Sequence, residues 1–436
     1  MRHLRLLLLA ALFLPGSCAN QTDPVTGEGY FSPIGNDYES QLKYVQGQFI
    51  TQIVTVQDGG NLTEPEILAA CQEIFDRIVE AIPPEHRRNF RFDLKLSASP
   101  SINAYTYGAG FVRANLGLLA RCGDASEFAG IVAHELGHNS HDHVGQSIGR
   151  AVLSQEVLGL GGIAGTPGRL IGNFVGGDLA RFTLTQYTRS QETAADQLAV
   201  VYTTDAGIDP DGLARFFGRL ETEESKGVRK PQLFQSHPYS GNRVAAIREQ
   251  IAATPGTDAA TLIKQTDAFA KASERARFIL PYYESLNTAL QGSDTDAALA
   301  EVARCEKALP THAAFPFWAA TILSSQDKPA EAVVAIRRAT ALDDGANFLI
   351  PLMQATLELE TRNPLRAERA ADRLIKIMPA LPHGFLLRGL ARLAVDRNKE
   401  ARADFDQALR RVPTKRDRRG LEEKIRERLP DYKFKG

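Results

Sequence analysis

The stretch His134-Glu135-Leu136-Gly137-His138 decides how this sequence is interpreted. In an α-helix, residues four apart project from the same face, so the imidazoles of His134 and His138 can bind one metal ion together. Glu135 is offset by one residue, which keeps its carboxylate out of the ligand set but near a metal-bound water, where it can act as general base. The chain has nine histidines, and by chance about one chain in a hundred would contain such a pattern. The motif therefore predicts a catalytic zinc site on a helix.

The residues around the motif predict that it lies inside a domain. Apolar residues recur at helical spacing from Ala125 onward. They are Phe128, Ile131, Val132, Leu136, Val144 and Ile148. This spacing indicates a helix with one buried face, and it disfavours the alternative of two surface histidines.

A catalytic zinc site needs a third protein ligand and an open position. A third histidine six residues after His138 is excluded, because Val144 stands there. Glu192 is the best candidate, since it lies on a predicted second helix and Asp196 follows one turn later on the same face. Asp196 can then accept a hydrogen bond from the outer ring N–H of a ligating histidine and fix its orientation.

The segments before the motif predict an α+β domain. A helix is indicated by apolar residues at helical spacing, and Pro83-Pro84 ends it. These residues are Ile67, Cys71, Ile74, Ile78 and Ile82. Residues 90–97 alternate between apolar and polar, and residues 103–112 have the pattern of a strand followed by a glycine turn.

The start of the chain has the pattern of an export signal, residues 1–19. A short positively charged segment precedes the apolar residues 6–14, which are too few to span a bilayer. Two outcomes of processing remain open: cleavage after Ala19, or lipidation of Cys18. Residues 20–40 are rich in Asn, Asp, Pro, Gly and Ser and predict a tether.

Length, net charge and cysteine content limit the domain number, the partners and the disulfides that can be expected. The chain has 436 residues, which predicts two or three domains. A formal net charge of -1 argues against a polyanionic partner such as nucleic acid. Outside the signal region the cysteines are Cys71, Cys122 and Cys305, and both a Cys71 to Cys122 disulfide and lone buried thiols remain open.

Residues 159–177 contain eight glycines among apolar residues. This density disfavours a stable or membrane-spanning helix. A lid or membrane-touching flap beside the site and a plain surface loop are both open.

The C-terminal third contains a repeat with a period of 34 or 35 residues, which is typical of tetratricopeptide repeats. Three sets of positions show it: Ala298, Ala332, Ala367 and Ala401; Cys305, Ala339, Leu374 and Ala408; and Pro310, Asp344, Pro379 and Pro413. About four repeats are predicted over residues 277–413, where Cys305 is a packing residue. Within residues 414–436 an apolar stripe, Leu421, Ile425 and Leu429, can cap the last repeat.

Four blocks of the chain resemble the metallopeptidase family that includes the CAAX prenyl endopeptidases and HtpX. The blocks are Asn103-Ala104-Tyr105 with Gly108, Leu118 and Leu119; His134 to His138 with His143; Arg189 to Asp196; and Ser236-His237-Pro238 with Arg243. The resemblance extends over about residues 65–250. This family usually has Gly where the chain has Ala199, a difference that concerns packing.

The resemblance implies a mostly helical, gluzincin-type domain with one Zn²⁺ per chain. Its implied ligands are His134, His138 and Glu192, with Glu135 as general base. It also implies that His237 lies near the zinc, as a switch or a transition-state ligand that can block the open position, and that Arg243 is a nearby stabiliser. A plain turn at His237 is the alternative, because Pro238 restricts its predecessor to extended geometry.

Two further sets of residues can have a structural role in place of a role in catalysis or metal binding. His141 and His143 are interpreted as polar contacts at a helix end. Asn103, Ala104 and Tyr105 can form a plain core strand; in the family that they resemble, this strand is an edge over the zinc, where an extended substrate can pair.

With its signal and trailing repeats, the chain is most similar to the BepA-like group, periplasmic proteases of outer-membrane quality control. This similarity predicts a metallopeptidase domain at residues 41–270, followed by an α-solenoid of repeats that recruits substrates or assembly machinery. The expected partners are unfolded or misassembled envelope proteins in the periplasm, with peripheral membrane contact or a lipid anchor at Cys18. The alternative is a repeat-based chaperone or scaffold with a gated, mostly inactive protease site.

Overall fold

The structure, a computed structural model, describes residues 19–32, 60–87, 90–106, 108, 110–144, 146, 187–225, 233, 237, 242–258, 260–343, 345, 347–379, 381–412 and 415–434. These residues are mostly helical, with a few short strands. None of the helices within these ranges is long and apolar enough to cross a membrane. Cys18 and the glycine-rich segment 159–177 lie outside the described residues.

A hairpin forms near the N-terminus, where the composition predicted a tether. Strand β1 (Ala19–Thr22) pairs antiparallel with strand β2 (Gly29–Ser32). The carboxylate of Asp23 closes the turn by accepting hydrogen bonds from the backbone N–H groups of Val25 and Thr26, at 2.8 and 3.2 Å. Gly27 has φ 76°, a conformation that glycine adopts without strain. The same Asp and Gly that suggested a flexible coil therefore build a tight turn.

The peptidase-like part begins with two helices and a three-stranded sheet. Helix α1 (Pro65–Ala81) ends before Pro83 and Pro84, as predicted, and α2 (Pro84–Arg87) follows. The strands are β3 (Asp93–Ser97), β4 (Ala104–Thr106) and β5 (Phe111–Asn115). Their order is β3-β5-β4, with β3 parallel and β4 antiparallel to β5. Strand β4 therefore lies at an edge of this sheet.

The motif lies on a helix that is buried on every side. After α3 (Leu116–Arg121) the chain forms α4 (Ala125–Ser140), whose first turn is capped by the side chain of Asp124. All residues of α4 are buried, not one face only as the spacing predicted. The helix also ends earlier than predicted: Asp142 has φ 52°, which breaks the helix before Val144.

Three helices surround α4 and the site. These are α5 (Arg189–Asp205), α6 (Asp211–Ser225) and α7 (Arg243–Ala253). A capping box between Thr188 and Gln191 begins α5, which packs along α4. The two helices approach closely at Gly137, because a Cβ atom there would lie 2.9 Å from the carbonyl oxygen of Ala195.

A long helix connects this part to the C-terminal helices. Helix α8 (Asp267–Gln291) packs against α1 and α3 and also against the next helix. It continues without a break through residues 270–277, where the sequence predicted the junction between two domains. The helices that follow are α9 (Thr295–Ala308), α10 (Ala314–Ser325), α11 (Pro329–Leu342), α12 (Leu349–Glu360), α13 (Pro364–Ile377), α14 (Pro382–Leu393), α15 (Asn398–Arg411) and α16 (Lys415–Arg428).

These helices follow the predicted period. The alanines expected at close helix contacts are all buried in α9, α11, α13 and α15: Ala298, Ala332, Ala367 and Ala401. Cys305 occupies a buried position of the same kind, and Cys71, Cys122 and Cys305 are free thiols with no disulfide in the part of the chain that is described. Ile425 and Leu429 pack against α15, where a capping segment was predicted.

A polar cluster at the start of α1 holds the two parts together. Arg275 of α8 donates two hydrogen bonds of 2.9 Å to the carboxylate of Glu64. His312, between α9 and α10, lies 2.6 Å from the same carboxylate through Nε2 and 2.7 Å from the Tyr283 hydroxyl through Nδ1. One hydrophobic core runs through both parts, from Leu62 to Leu387.

Candidate metal centre

Four buried side chains direct ligand atoms towards one point: His134, His138, Glu192 and His237. Nε2 of His138 lies 3.0 Å from Nε2 of His134 and 3.3 Å from Oε1 of Glu192. Nδ1 of His237 lies 3.2 Å from Nε2 of His134 and 2.9 Å from Oε1 of Glu192. Donors about 2.0 Å from a tetrahedral ion would be separated by about 3.3 Å, close to these values. The α4 motif supplies two donors, α5 the third, and His237 comes from the segment before α7.

The chemistry of these groups fits a cation. Two imidazoles and a carboxylate are a ligand set typical of catalytic zinc sites. Both carboxylate oxygens of Glu135 and the Nε2 atom of His237 are buried without a hydrogen-bond partner among the described residues. Buried polar atoms without partners are costly, so an ion with associated water would satisfy groups that the protein alone does not.

The outer nitrogen atoms of both motif histidines are held by neighbours. Nδ1 of His134 lies 2.9 Å from Oδ1 of Asp196, so His134 is the motif histidine that Asp196 holds. Nδ1 of His138 lies 2.8 Å from Nδ1 of His143. Each contact turns the Nε2 atom of the ring towards the centre, as is usual for metal-binding histidines.

Arg243 holds the acidic side of the centre. It donates through Nε and Nη2 to the two oxygens of Asp196, each at 2.8 Å, and its Nη1 lies 2.9 Å from Oε2 of Glu192. Its guanidinium also lies over the ring of Phe217, 4.2 Å from the centroid. Burial would raise the pKa of Glu192, but the charges of His237 and Arg243 hold that pKa well below its usual value. The carboxylate is thereby kept in its ligating form.

Glu135 has a different environment on the same helix. Its side chain is fully buried, and Oε1 lies 3.4 Å from Nε2 of His237. Burial raises the pKa of Glu135, although the nearby His237 and His134 oppose this rise. A carboxylate with a raised pKa beside the donor atoms is suited to accept a proton.

The sheet edge lies next to the motif helix. Strand β4 contacts α4, and Asn139 donates a hydrogen bond of 2.7 Å to Oγ1 of Thr106. The side-chain oxygen of Asn139 accepts from the N–H of Gly110 at 3.0 Å. Ala104 and Tyr105 lie in β4 and Asn103 precedes it, so the predicted substrate strand is held beside the centre.

Some residues at the centre were not singled out from the sequence. Tyr187 stacks on the ring of His138, with centroids 3.8 Å apart, and nothing in its sequence context indicates this. Asn139 follows the motif directly and could have been suspected only from that position. Asp23 was not singled out either; it contacts His141, which places the N-terminal hairpin close to the centre. A cleft between α5 and α7 reaches Glu192, and solvent can approach there.

Comparisons with known proteins agree with this geometry. Residues 68–251 match the family model described as Peptidase family M48. A putative beta-barrel assembly-enhancing protease of Vibrio cholerae is 28% identical over 221 residues, covering 48% of this chain and 41% of that protein. Metalloprotease LoiP of Escherichia coli is 28% identical over 163 residues, covering 36% of this chain and 62% of that protein.

A third relative is the beta-barrel assembly-enhancing protease of Escherichia coli, which is 22% identical over 173 residues, 36% of this chain and 34% of that protein. The chain thus spans less than two thirds of the length of each relative. The shared region contains α4, α5 and the start of α7, and so all the residues that converge on the centre. Residues 68–251, which include all of these groups, therefore match peptidase family M48 and form a metallopeptidase domain.

Proposed function

We propose that this chain is an exported zinc metalloendopeptidase that hydrolyses peptide bonds of misfolded or stalled outer-membrane proteins. The observation that carries the proposal is the convergence of the His134, His138 and Glu192 ligand atoms beside the carboxylate of Glu135, which accepts no hydrogen bond from the described residues. The names of relatives that assist beta-barrel assembly support the substrate class. We place the protein in the periplasm. Its mature N-terminus results either from cleavage after Ala19 or from lipidation of Cys18.

The roles of the residues follow from their positions. His134, His138 and Glu192 would hold one Zn²⁺, which would polarise the scissile carbonyl and lower the pKa of water. Glu135 accepts the proton of the attacking water and returns it to the leaving amine. Arg243 keeps the carboxylates of Glu192 and Asp196 in place.

His237 occupies the position of a fourth donor in the closed site. Its Nδ1 atom lies within 3.2 Å of donor atoms from α4 and α5, so a substrate carbonyl cannot enter while His237 stays there. Displacement of His237 therefore gates the enzyme. Once displaced, it can stabilise charge that develops on the substrate.

The edge position of β4 supports an extended substrate. An unfolded chain can add to Asn103, Ala104 and Tyr105 as a further strand, with backbone hydrogen bonds giving affinity without a demand for sequence. The helices after α8 form an α-solenoid of tetratricopeptide repeats that recruits such substrates or assembly machinery. This arrangement suits a quality-control protease, which must accept many unfolded proteins.

The replacement Glu135→Gln tests the activity. It keeps the size of the side chain but cannot accept the proton, so cleavage of unfolded casein should fall by at least about 100-fold. Zinc content and melting temperature should stay close to wild type. The matched control is Glu73→Gln on the exposed face of α1, which should retain full activity. A Glu135→Gln protein that cleaves casein at the wild-type rate would falsify the assignment.

A second replacement separates the enzyme from the alternative, a repeat-based chaperone or scaffold. His237→Ala should open the fourth position and raise the rate of casein cleavage. A zinc-loaded protein that is inert both as wild type and as His237→Ala would favour the scaffold.

A further inference from the structure

A row of side chains runs from the N-terminal hairpin to the metal centre. Oδ2 of the buried Asp23 accepts a hydrogen bond of 2.8 Å from Nδ1 of His141, which lies 118 positions later in the chain. The ring of His141 is stacked on that of His143, with 4° between the planes and 4.9 Å between the centroids. His143 in turn contacts His138 through a distance of 2.8 Å between the two Nδ1 atoms.

The direction of the last hydrogen bond follows from the geometry of His138. Its Nε2 atom faces the other ligand atoms, so this nitrogen must carry the lone pair and Nδ1 must carry the proton. Nδ1 of His143 is then the acceptor. The bond fixes the orientation of the His138 ring. Tyr187, stacked on one face of this ring, restricts its movement on that side.

The two oxygens of Asp23 have different tasks in the hairpin. Its Oδ1 atom accepts from the N–H groups of Val25 and Thr26 and closes the turn, which leaves Oδ2 for His141. Val25 packs against the main hydrophobic core. Among the contacts described for the hairpin, Asp23 therefore supplies a polar one and Val25 an apolar one.

We propose that Asp23, His141 and His143 are positioning residues of the metal centre, and that the hairpin 19–32 is a structural part of the peptidase site. This inference rests on the proposed zinc site, because His138 is one of its ligands. Asp23 holds His141, His141 supports the ring of His143, and His143 orients His138.

The affinity for zinc, measured by competition with a chelator, tests the row without relying on cleavage. His143→Phe keeps an aromatic ring but has no acceptor, and it should lower the affinity by about 10- to 100-fold, as is usual for the partners of ligating histidines. His143→Gln restores an acceptor oxygen and should recover most of the affinity. The absorption spectrum of the cobalt-substituted protein should change for His143→Phe and return towards wild type for His143→Gln.

Asp23→Asn tests the hairpin end of the row. The amide keeps an oxygen for the turn but removes the charge that faces His141, so the zinc affinity should fall by about 3- to 10-fold. In the metal-free protein, amide hydrogens of residues 23–28 should also exchange faster. The matched control is Glu28→Gln, an exposed charge in the same hairpin, which should change neither quantity.

The outcomes are distinct. Wild-type affinity and cobalt spectrum in His143→Phe would overturn the positioning role. Wild-type affinity and exchange in Asp23→Asn would remove the hairpin from the site. A wild-type protein that binds zinc but cleaves no casein would refute the proposed function, and the loss of affinity in His143→Phe would still decide this inference.

Discussion

Asp196 links a histidine of the metal centre, His134, to the arginine beside it, Arg243. It accepts from His134 and from Arg243, and Arg243 also contacts Glu192. Burial would raise the pKa of Asp196, but the charge of Arg243 and the bond from His134 lower it. The carboxylate of Asp196 therefore orients His134 directly and orients Glu192 through Arg243.

Replacement of Asp196 by Asn should weaken zinc binding by about 10- to 100-fold. The amide can present an N–H to Nδ1 of His134, which favours the tautomer whose proton sits on the nitrogen that should face the metal. Chelator competition measures the loss. Asp205→Asn at the exposed end of the same helix is the control and should bind zinc as wild type does. An Asp196→Asn protein with unchanged affinity would show that Arg243 alone orders the site.

At the scale of elements, the contact between α4 and α5 sets the distance between the two halves of the ligand set. Gly137 stands between the two motif histidines on α4, and its position against the backbone of Ala195 leaves no room for a side chain. The pair of helices therefore depends on one glycine for the separation that brings Glu192 to the motif.

Gly137→Ala should push the helices apart and destabilise the fold by about 1–3 kcal/mol, with a loss of zinc affinity. The matched control is Gly218→Ala on α6, where a Cβ atom would meet nothing within 4 Å. Because alanine favours helix, that change should be neutral or stabilise by about 0.5–1 kcal/mol. Urea unfolding of both variants measures the difference. Equal stability of the two would contradict the close approach seen at Gly137.

Local patterns predicted elements well, because they rest on nearest neighbours in the chain. The end of α1, the position of Asp196 one turn after Glu192 and the period of the C-terminal helices all follow from spacing along one helix or one repeat. Contacts between distant segments leave no such pattern. Neither Asp23 near His141 nor Tyr187 on His138 could be inferred, since each depends on how separate segments pack. The all-round burial of α4 was missed for the same reason.

At the scale of the whole molecule, the cluster at Glu64 joins the peptidase part to the C-terminal helices. Glu64 precedes α1, and its carboxylate contacts Arg275 of α8 and His312 beyond α9. The bonds from Arg275 lower the pKa of Glu64, and burial lowers the pKa of His312. Both parts also share one hydrophobic core, which predicts a single cooperative unfolding transition.

Low pH should weaken the contacts of Glu64 and His312 and so destabilise the folded protein. A carboxylate whose folded pKa is lowered contributes stability above its ordinary value of 4.5, and this stability is lost as the pH falls towards the folded pKa. His312 acts in the same direction, because its lowered pKa means that protonation below its ordinary value of 6.5 disfavours the folded state. Below about pH 4.5, wild type should therefore lose the stability that ionised Glu64 contributes, which Glu64→Gln lacks at every pH.

Thermal unfolding across this pH range checks the prediction, with Glu66→Gln, an exposed charge on α1, as the control. The Glu64→Gln protein should start with a lower melting temperature and show a flatter pH dependence. Parallel curves for wild type and Glu64→Gln would mean that the ionisation of Glu64 does not contribute to the pH dependence of stability.

The N-terminal hairpin would limit where a form of this enzyme lipidated at Cys18 can work. Strand β1 begins at Ala19, and from there to the turn at Asp23 an extended strand covers only about 14 Å. In a protein lipidated at Cys18, no long linker would separate the lipid from the hairpin, so the catalytic groups would stay close to the lipid surface. Such an enzyme would cut segments that emerge at the membrane and spare chains that have diffused away from it.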